Sequence, residues 1–304
     1  MAWQRRGILI PPPRLGGWAA GYAMVPFVRT SGDGGLELFF SPRDERDRSS
    51  TGRVALTLAA TGPPRVGSPA LVLGRGALGA FDDSGAMGSC VVKHGRYEYL
   101  YYVGWTLHRA VPFSTYIGLA VSDDGGRTFE RISDGPIIGR SRSDPYLAST
   151  PWVLIEDGLW RMWYTSGVRW KPTDAGPRLD YRITYAESAD GIEWKPTGRV
   201  CIDFKDEEEH AIARPCVLRD GATYKMWFCY KGAEYRIGYA ESGDGSAWSR
   251  RDSYGGLGPT GGGWESQAVA YCSVFDHDGA RWMLYNGNRY GATGIGLAQW
   301  EAPG

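Results

Sequence analysis

Acidic residues recur at one position of a long sequence repeat. Four copies of the repeat carry a carboxylate six residues before the start of a predicted buried strand, whereas the first copy has Ala19 there. These carboxylates belong to Asp82, Asp144, Glu208 and Glu265. Carboxylates that converge on one cleft can donate and accept protons during a reaction. The spacing therefore predicts acid–base chemistry at a site to which several copies contribute.

Three acidic residues are the candidates for catalysis: Asp144, Glu209 and Glu265. Asp144 in "RSDPYLAST" and Glu209 in "EEEHAIARP" lie in segments that mix opposite charges just before a buried strand. Glu265 in "GGWESQ" has Trp264 beside it, and an aromatic ring of this kind can stack on a sugar face. Asp82 and Glu207 are better interpreted as ordinary solvated loop residues.

The candidates for ligand binding lie near the predicted strand starts and in loops that differ between copies. Loops between the second and third strands vary in length, whereas turns such as "SADG" and "SGDG" are short and uniform, and function concentrates in variable loops. Asp190 and Asp244 in those uniform turns are therefore predicted to be structural. The binding candidates are Asp83, Trp105, His108, Arg169, Trp170, His210, Arg214, Lys231, Trp264, Asn286, Asn288 and Arg289, and the loops also carry Arg43, Arg46 and Arg109.

The repeat itself predicts the fold. Turn glycines before aromatic strands stand at Gly95, Gly158, Gly221 and Gly279, and a fifth copy, "PFVRTSGDGGLELFFSPRD", precedes them. A period of about 60 residues, with four short strands and an Asp-Gly hairpin turn in each copy, is typical of a propeller blade. We expect an all-β, five-bladed β-propeller with four antiparallel strands per blade, formed by residues 1–304 as a single domain.

The two ends of the chain provide a further indication. The last copy, "TGIGLAQWEAPG", stops before its fourth strand, and the opening "MAWQRRG" matches "SAWSRR" at 246–251. The N-terminal strand is therefore predicted to complete the last blade, which would remove two free sheet edges.

Composition narrows the classes of partner. Thirty-four basic residues balance thirty-four acidic ones, so nucleic acid and anionic membranes are not expected partners. The N-terminal segment lacks the features of a signal peptide, and the interpretation is a cytoplasmic protein without a membrane span. The five cysteines lack zinc-site spacing. No cofactor is expected to be required, although a Ca²⁺ ion in the channel is possible. The oligomeric state stays open.

The strand motifs "MWY" and "YAESxDGxxW" resemble the five-bladed β-propeller glycosidase superfamily that includes arabinanases, invertases and mannosyl phosphorylases. The segment "WMLYNGNRYGATGIGLA" resembles glycosidase-like proteins associated with bacterial polysaccharide clusters. The resemblance implies catalysis by carboxylates placed just before the first strands of blades one, three and four. This chain has Val25, Thr150 and Arg214 at those places.

Three functions follow from these observations. The first is an enzyme acting on a glycosidic or sugar-phosphate bond, a hydrolase, phosphorylase or transglycosylase, in which Asp144, Glu209 and Glu265 replace the usual carboxylates. The second is a propeller that binds a glycan or sugar nucleotide without turning it over. The third is a biosynthetic lyase or transferase on the same scaffold.

Overall fold

The computed structural model describes residues 2–31, 34–58 and 62–301. The chain begins with β1 (Ala2–Ile10) and continues through five consecutive antiparallel units. Unit 1 contains β2 (Gly21–Thr30), β3 (Leu36–Arg43), β4 (Thr51–Thr57), β5 (Arg65–Val66) and β6 (Ala70–Leu73). Unit 2 contains β7 (Gly85–His94), β8 (Tyr97–Leu107), β9 (Phe113–Ser122) and β10 (Glu130–Arg131).

The remaining units follow the same order. Unit 3 contains β11 (Ala148–Glu156), β12 (Leu159–Lys171), β13 (Arg178–Ser188) and β14 (Lys195–Ile202). Unit 4 contains β15 (Ala211–Asp220), β16 (Thr223–Lys231), β17 (Tyr235–Ser242) and β18 (Ser249–Arg250), followed by α1 (Asp252–Gly255) and a 3-10 turn (Gly263–Glu265). Unit 5 contains β19 (Ala270–His277), β20 (Ala280–Asn286), the short turn α2 (Asn288–Gly291) and β21 (Ile295–Glu301).

The N-terminal strand pairs with the last strand, as the sequence predicts. β1 runs antiparallel to β21, with Trp3 opposite Trp300 and Ala2 opposite Glu301. Unit 5 thereby acquires four strands in the order β1, β21, β20, β19. The unpaired edge of β21 is covered, and the two ends of the described chain lie in neighbouring strands.

Unit 1 departs from the uniform pattern in its outermost strand. Both β5 and β6 pair with β4, so two short pieces replace one fourth strand. Gly67 and Pro69 lie between the pieces. Proline has no amide hydrogen to donate, and it therefore interrupts the ladder at this outer edge.

The first strands of the units form the centre of the molecule. They contact one another in the order β2, β7, β11, β15 and β19, and β19 contacts β2 again. Every first strand has a register shift near its start, for example between Ser149 and Trp152 and between Ala213 and Cys216. Such bulges turn local side chains away from the regular alternation of the strand.

The repeated sequence motifs meet at the contacts between units. Trp163 of unit 3 donates its indole N–H to the carbonyl of Gly245 in unit 4 (2.7 Å), and Tyr101 of unit 2 donates its hydroxyl to the carbonyl of Gly191 in unit 3 (2.7 Å). Gly191 has a φ of +76°, and a Cβ there would lie 2.6 Å from the Trp160 ring. The aromatic strand and the Asp-Gly turn recur together because each unit packs on the next.

No helix in the described residues is long and apolar enough to cross a membrane.

The Asp-Gly turns are structural, in agreement with the sequence prediction. The Asp244 carboxylate accepts hydrogen bonds from the amides of Ser246 (2.8 Å) and Ala247 (2.9 Å) and from the Ser242 hydroxyl (3.0 Å). These bonds, led by the one from the Ala247 amide, lower the pKa of Asp244. Asp190 lies in an equivalent set of bonds in unit 3.

We expect Asp244→Ala to lower the free energy of unfolding by about 1 kcal/mol at neutral pH, because solvent weakens these charge-assisted bonds at a largely exposed site. Because folding lowers the pKa of this carboxyl, its contribution is complete above the unfolded pKa of about 4 and is lost as the pH falls towards the folded value. Urea unfolding at pH 7 and at about pH 3 should show a smaller gap at the lower pH. Asp123→Ala, in an exposed position of the unit 2 turn, is the matched control. An equal gap at both pH values would contradict this account.

Candidate functional site

A cavity of about 310 Å³, which we call the aromatic cavity, lies where the first strands of all five units meet the loops at one end of the molecule. Its aromatic lining consists of Trp105, Phe113, Tyr181, Tyr235, Tyr271 and Tyr290. Hydroxyls come from Thr115, Ser149, Thr150 and Thr165, and the remaining lining residues are Met24, Val25, Met87, Leu147, Ala213 and Arg43. Among the described residues, Arg43 is the single ionic side chain in this lining.

The bulges of the first strands position residues at this cavity. Val25, Thr150 and Tyr271 occupy equivalent places and have φ values of 51°, 40° and 51°. Left-handed backbone costs a non-glycine residue about 1–2 kcal/mol, and β-branched residues such as valine and threonine rarely adopt it. Arg214, at the equivalent place of unit 4, has a φ of 57°. The same backbone conformation therefore recurs in four units with four different side chains.

Neighbouring units hold these strained positions. The amide of Val25 donates to Asn286 Oδ1 of unit 5 (3.0 Å), and the amide of Tyr271 donates to Cys229 Sγ of unit 4 (2.8 Å). The amide of Arg214 donates to Thr150 Oγ1 of unit 3 (3.2 Å). These three bulges are thus fixed by side chains of the preceding unit in the circuit, so the cavity wall and the contacts between units form one structure.

Hydrogen bonds orient the polar groups of the cavity. The hydroxyls of Tyr181 and Tyr235 bond to each other across units 3 and 4, and Thr150 and Thr165 share a hydroxyl hydrogen bond of 2.7 Å. Burial raises the pKa of both Tyr181 and Tyr235, so both phenols stay protonated at neutral pH. Trp105 donates its indole N–H to Ser49 Oγ (2.7 Å), which fixes the ring at the cavity wall. The cavity thus presents rigid rings and neutral hydroxyls.

Arg214 occupies the interior of the ring of first strands rather than the cavity lining. Its guanidinium is fully buried and donates to the Ser89 carbonyl (2.9 Å), the Ser89 hydroxyl (2.7 Å) and the Pro26 carbonyl (3.1 Å). It also lies 5.7 Å from the centre of the Trp152 ring. Burial lowers its pKa, and its hydrogen bonds go to neutral oxygens in the part of the chain that the structure describes. Its role in these contacts is structural.

The three catalytic candidates lie outside the aromatic cavity. Glu209 binds both terminal nitrogens of Arg250 (2.7 and 2.9 Å) and accepts the Lys205 amide (2.9 Å). Glu265 pairs with Arg5 (3.1 Å). Each carboxylate ties the loop before the first strand to the fourth strand of its own unit.

Asp144, the third catalytic candidate, is held by hydroxyl groups, whereas Glu209 and Glu265 are held by arginines. It is fully buried and accepts hydrogen bonds from the Tyr164 hydroxyl (3.0 Å) and the Ser141 hydroxyl (3.3 Å). Burial raises the pKa of the Asp144 carboxyl. Asp82, which the sequence suggests to be solvated, is instead buried against Tyr102 (3.1 Å) and Arg131 (2.7 Å). A buried polar anchor thus recurs at this position of the loop in units 2, 3 and 5, and one residue later in unit 4.

Four of the predicted binding residues stabilise loops and strands. Asn286 is fully buried and donates to the carbonyls of Ala23 and Gly294. Asn288 accepts the amides of residues 267 and 268, and the Trp264 ring packs 5.4 Å from the Tyr285 ring. Asp83 accepts bonds within its own loop, from residues 79 and 84. Within the described residues, none of these four side chains belongs to the lining of the aromatic cavity.

Other predicted binding residues lie around the cavity, and Arg169 and Trp170, which the sequence places in a loop, belong to the end of strand β12. Trp170 packs edge-on against Phe113 of the cavity lining, with 5.9 Å between ring centres. Arg169 pairs with Asp180 (3.0 Å), and His108 is exposed. The His210 ring bonds to the carbonyl of Glu208 (3.1 Å), and burial lowers its pKa. Trp105 alone of the predicted binding residues lines the aromatic cavity itself.

Lys231 and Arg289 line a second cavity of about 180 Å³, which we call the cationic cavity. Its other lining residues are Ala233, Glu234, Tyr235, Gln267, Ala268, Ala270 and Tyr290. Tyr235 and Tyr290 also line the aromatic cavity, so the two cavities share a wall.

Sequence reasoning missed the tyrosines that dominate the aromatic cavity. Tyr181 and Tyr235 open repeated third strands and read as scaffold. Tyr271 stands in register with Val25 and Thr150, and that register was the available signal for a cavity position. Tyr290 adopts a φ of 59° in an irregular turn, which no sequence pattern indicated.

The charged groups inside the ring of first strands decide whether a Ca²⁺ ion fits in the channel. No group of three or more histidine, cysteine or acidic side chains comes together as metal ligands within the described ranges. The Arg214 cation occupies the interior instead. These residues do not fit a divalent cation in the channel, and the sequence expectation of one stays a prediction.

Comparison with solved structures identifies the fold. The chain superposes on a structure of BT0996 in a complex with RGII with a TM-score of 0.77 and 18% identity, covering 99% of this chain and 92% of that one. A glycoside hydrolase gives a TM-score of 0.76 at 16% identity, with coverage of 99% and 92%. The GH43_1 enzyme from Xanthomonas citri complexed with xylotriose gives 0.63 at 16% identity, with coverage of 97% and 91%. At these identities the likeness concerns the fold.

Sequence comparison finds closer relatives. No family model matches the chain. The uncharacterized proteins MT1551 and Rv1502 of two Mycobacterium tuberculosis strains are each 39% identical to it over 302 residues, covering 99% of this chain and all of theirs. The chain therefore belongs to one family with these two mycobacterial proteins, and it shares the fold of the glycoside hydrolase structures on which it superposes, in line with the sequence resemblance.

Proposed function

We propose that the protein binds a carbohydrate in the aromatic cavity. The observation that carries this proposal is the lining itself, in which aromatic rings alternate with fixed neutral hydroxyls. Rings stack on the apolar faces of sugars, and hydroxyls exchange hydrogen bonds with theirs. A volume of about 310 Å³ suits a small ligand.

The fold supports the location of this site. We infer that the five units are the blades of one closed propeller domain, because their first strands contact one another in a complete circuit. Ligand sites are common where elements converge on a central opening. The aromatic cavity takes residues from all five first strands, as a channel mouth would.

Binding without turnover is the form of this function that the geometry favours. Glycoside hydrolysis usually employs two carboxyl groups on either side of the scissile bond. The aromatic cavity has no carboxylate among its lining residues in the described part of the chain. The places that would hold them in the glycosidase pattern carry Val25, Thr150 and Arg214.

An enzyme acting on a glycosidic or sugar-phosphate bond is the second candidate, and Asp144 is the observation in its favour. Burial raises the pKa of Asp144, and its Oδ1 accepts no hydrogen bond from the described residues. A carboxyl with a raised pKa is better suited to general-acid catalysis than an ordinary one. Leu147, three residues later in the chain, lines the aromatic cavity.

Trp105→Ala should weaken sugar binding about tenfold, because it removes a stacking ring of the cavity wall. Isothermal titration calorimetry with neutral pentoses, hexoses and their short oligomers measures this effect. Tyr97→Ala is the control, because Tyr97 lies at the other end of the same strand, roughly 26 Å away. Absence of saturable binding by the wild-type protein to every sugar in the panel would contradict the proposed function.

Glu209→Gln should lower the free energy of unfolding by about 1–3 kcal/mol, because it weakens a buried ion pair with Arg250. Sugar affinity should stay within twofold of the wild-type value. Urea unfolding and calorimetry measure the two effects. A stable Glu209→Gln variant that has lost a measurable turnover would instead identify Glu209 as a catalytic residue.

Asp144→Asn separates the two candidate functions. If the cavity only binds, the wild-type protein releases no product from the sugar panel over days, and the variant binds with unchanged affinity. If Asp144 is a general acid, the wild-type protein releases product and the variant is slower by about 100-fold or more. Chromatographic detection of released sugar, with calorimetry on both proteins, distinguishes these outcomes.

A further inference from the structure

The cationic cavity contains two positive charges that the described residues leave unpaired. Neither Lys231 nor Arg289 makes an ion pair or a side-chain hydrogen bond within the part of the chain that the structure describes. Glu234, the one acidic residue of this lining, pairs with Arg236. The cavity therefore carries an excess of positive charge in a volume of about 180 Å³.

The positions of these two cations are built into the structure. Lys231 ends β16, and its ammonium lies 5.3 Å from the centre of the Tyr235 ring, which restricts where the charge can move. Arg289 and its neighbour Tyr290 both adopt left-handed backbone, with φ values of 54° and 59°. Two consecutive strained non-glycine residues are uncommon, and such strain is concentrated at functional sites.

The wall shared by the two cavities places Lys231 and Arg289 next to the aromatic cavity. Tyr235 and Tyr290 line both cavities, and their rings meet edge to face with 5.6 Å between centres. A group bound beside Lys231 and Arg289 would therefore lie next to a sugar ring bound in the aromatic cavity. The neutral hydroxyls of that cavity would meet the uncharged part of such a ligand.

We propose that Lys231 and Arg289 form a subsite for an anionic substituent, a phosphate or a carboxylate, of the sugar that the aromatic cavity binds. The proposal rests on the proposed function, because it assigns the sugar ring to the aromatic cavity. A guanidinium presents parallel donors to two oxygens of an oxyanion, and an ammonium adds a compact charge. The ligand class is thus a sugar phosphate or a uronic acid.

Matched sugars test the proposal. Calorimetry compares neutral glucose, mannose and galactose with their 1-phosphates, 6-phosphates and uronic acids. For the ring configuration that binds, at least one anionic form should bind about tenfold or more tightly than the neutral form at low ionic strength. This advantage should shrink several-fold when salt is raised to about 0.5 M, because salt screens charges near the surface. The phosphate and uronate arms identify which anion is recognised.

Charge-removing variants locate the subsite. Lys231→Gln and Arg289→Gln should each reduce the anionic advantage, and the double variant should abolish it while the affinity for the neutral sugar stays within twofold. Lys231→Arg should retain the advantage. Arg109→Gln, which removes a charge from a loop at the same end but outside both cavity linings, is the control. Equal affinities for neutral and anionic sugars, or an advantage that survives in the double variant, would overturn the assignment.

A probe without a sugar ring separates this proposal from the proposed function. Line broadening of inorganic phosphate in ³¹P spectra should be present with the wild-type protein and lost with the double variant. If sugars do not bind but phosphate does so at Lys231 and Arg289, the carbohydrate assignment fails and the anion subsite remains. If neutral sugars bind but phosphate and anionic sugars gain nothing from the two cations, the subsite fails alone.

Discussion

The buried guanidinium of Arg214 is the interaction on which the centre of this molecule depends. It extends from unit 4 to main-chain carbonyls of units 1 and 2 and lies over the Trp152 ring of unit 3. Its own amide donates to hydroxyls of unit 3. One residue thus contacts four of the five units. A buried charge without its partners is costly, so the first strands must stay at the separations that satisfy it.

This arrangement sets the electrostatics of the interior. The Arg214 charge is stabilised by carbonyl and hydroxyl dipoles, and the bulge amides are bound by neutral groups such as Asn286, Thr150 and Cys229. The ring of first strands is therefore positively charged at its centre and neutral at its wall. A ligand at the mouth meets neutral donors and acceptors first, with cations at the sides.

The strand scaffold could be predicted from the sequence more fully than the lining of the aromatic cavity, for one physical reason. The strand pattern, the Asp-Gly turns and the pairing of β1 with β21 follow from local periodicity and turn chemistry, and the structure contains all of them. The recurrent carboxylates were interpreted by their position alone. Their partners lie far along the chain: 41 residues separate Glu209 from Arg250, and 260 separate Glu265 from Arg5. Their recurrence was interpreted as acid–base chemistry, whereas in the structure these carboxylates bind other strands of their own units. Tyr290 and Arg289 occur once, in a turn unlike those of the other units.

The left-handed bulges have a consequence for how such a site can change. Val25 holds a left-handed backbone conformation from which its side chain gains nothing, because the hydrogen bond from its amide to Asn286 of unit 5 fixes the main chain. The main chain therefore directs the side chain at this position into the aromatic cavity, whatever that side chain is. Backbone and chemistry are therefore separable at Val25, so a substitution there would alter the polarity, the charge or the reactivity of the cavity without requiring the fold to be rebuilt. The side chain at such a position can change while the backbone stays the same, and the present residue is one of those that this backbone permits.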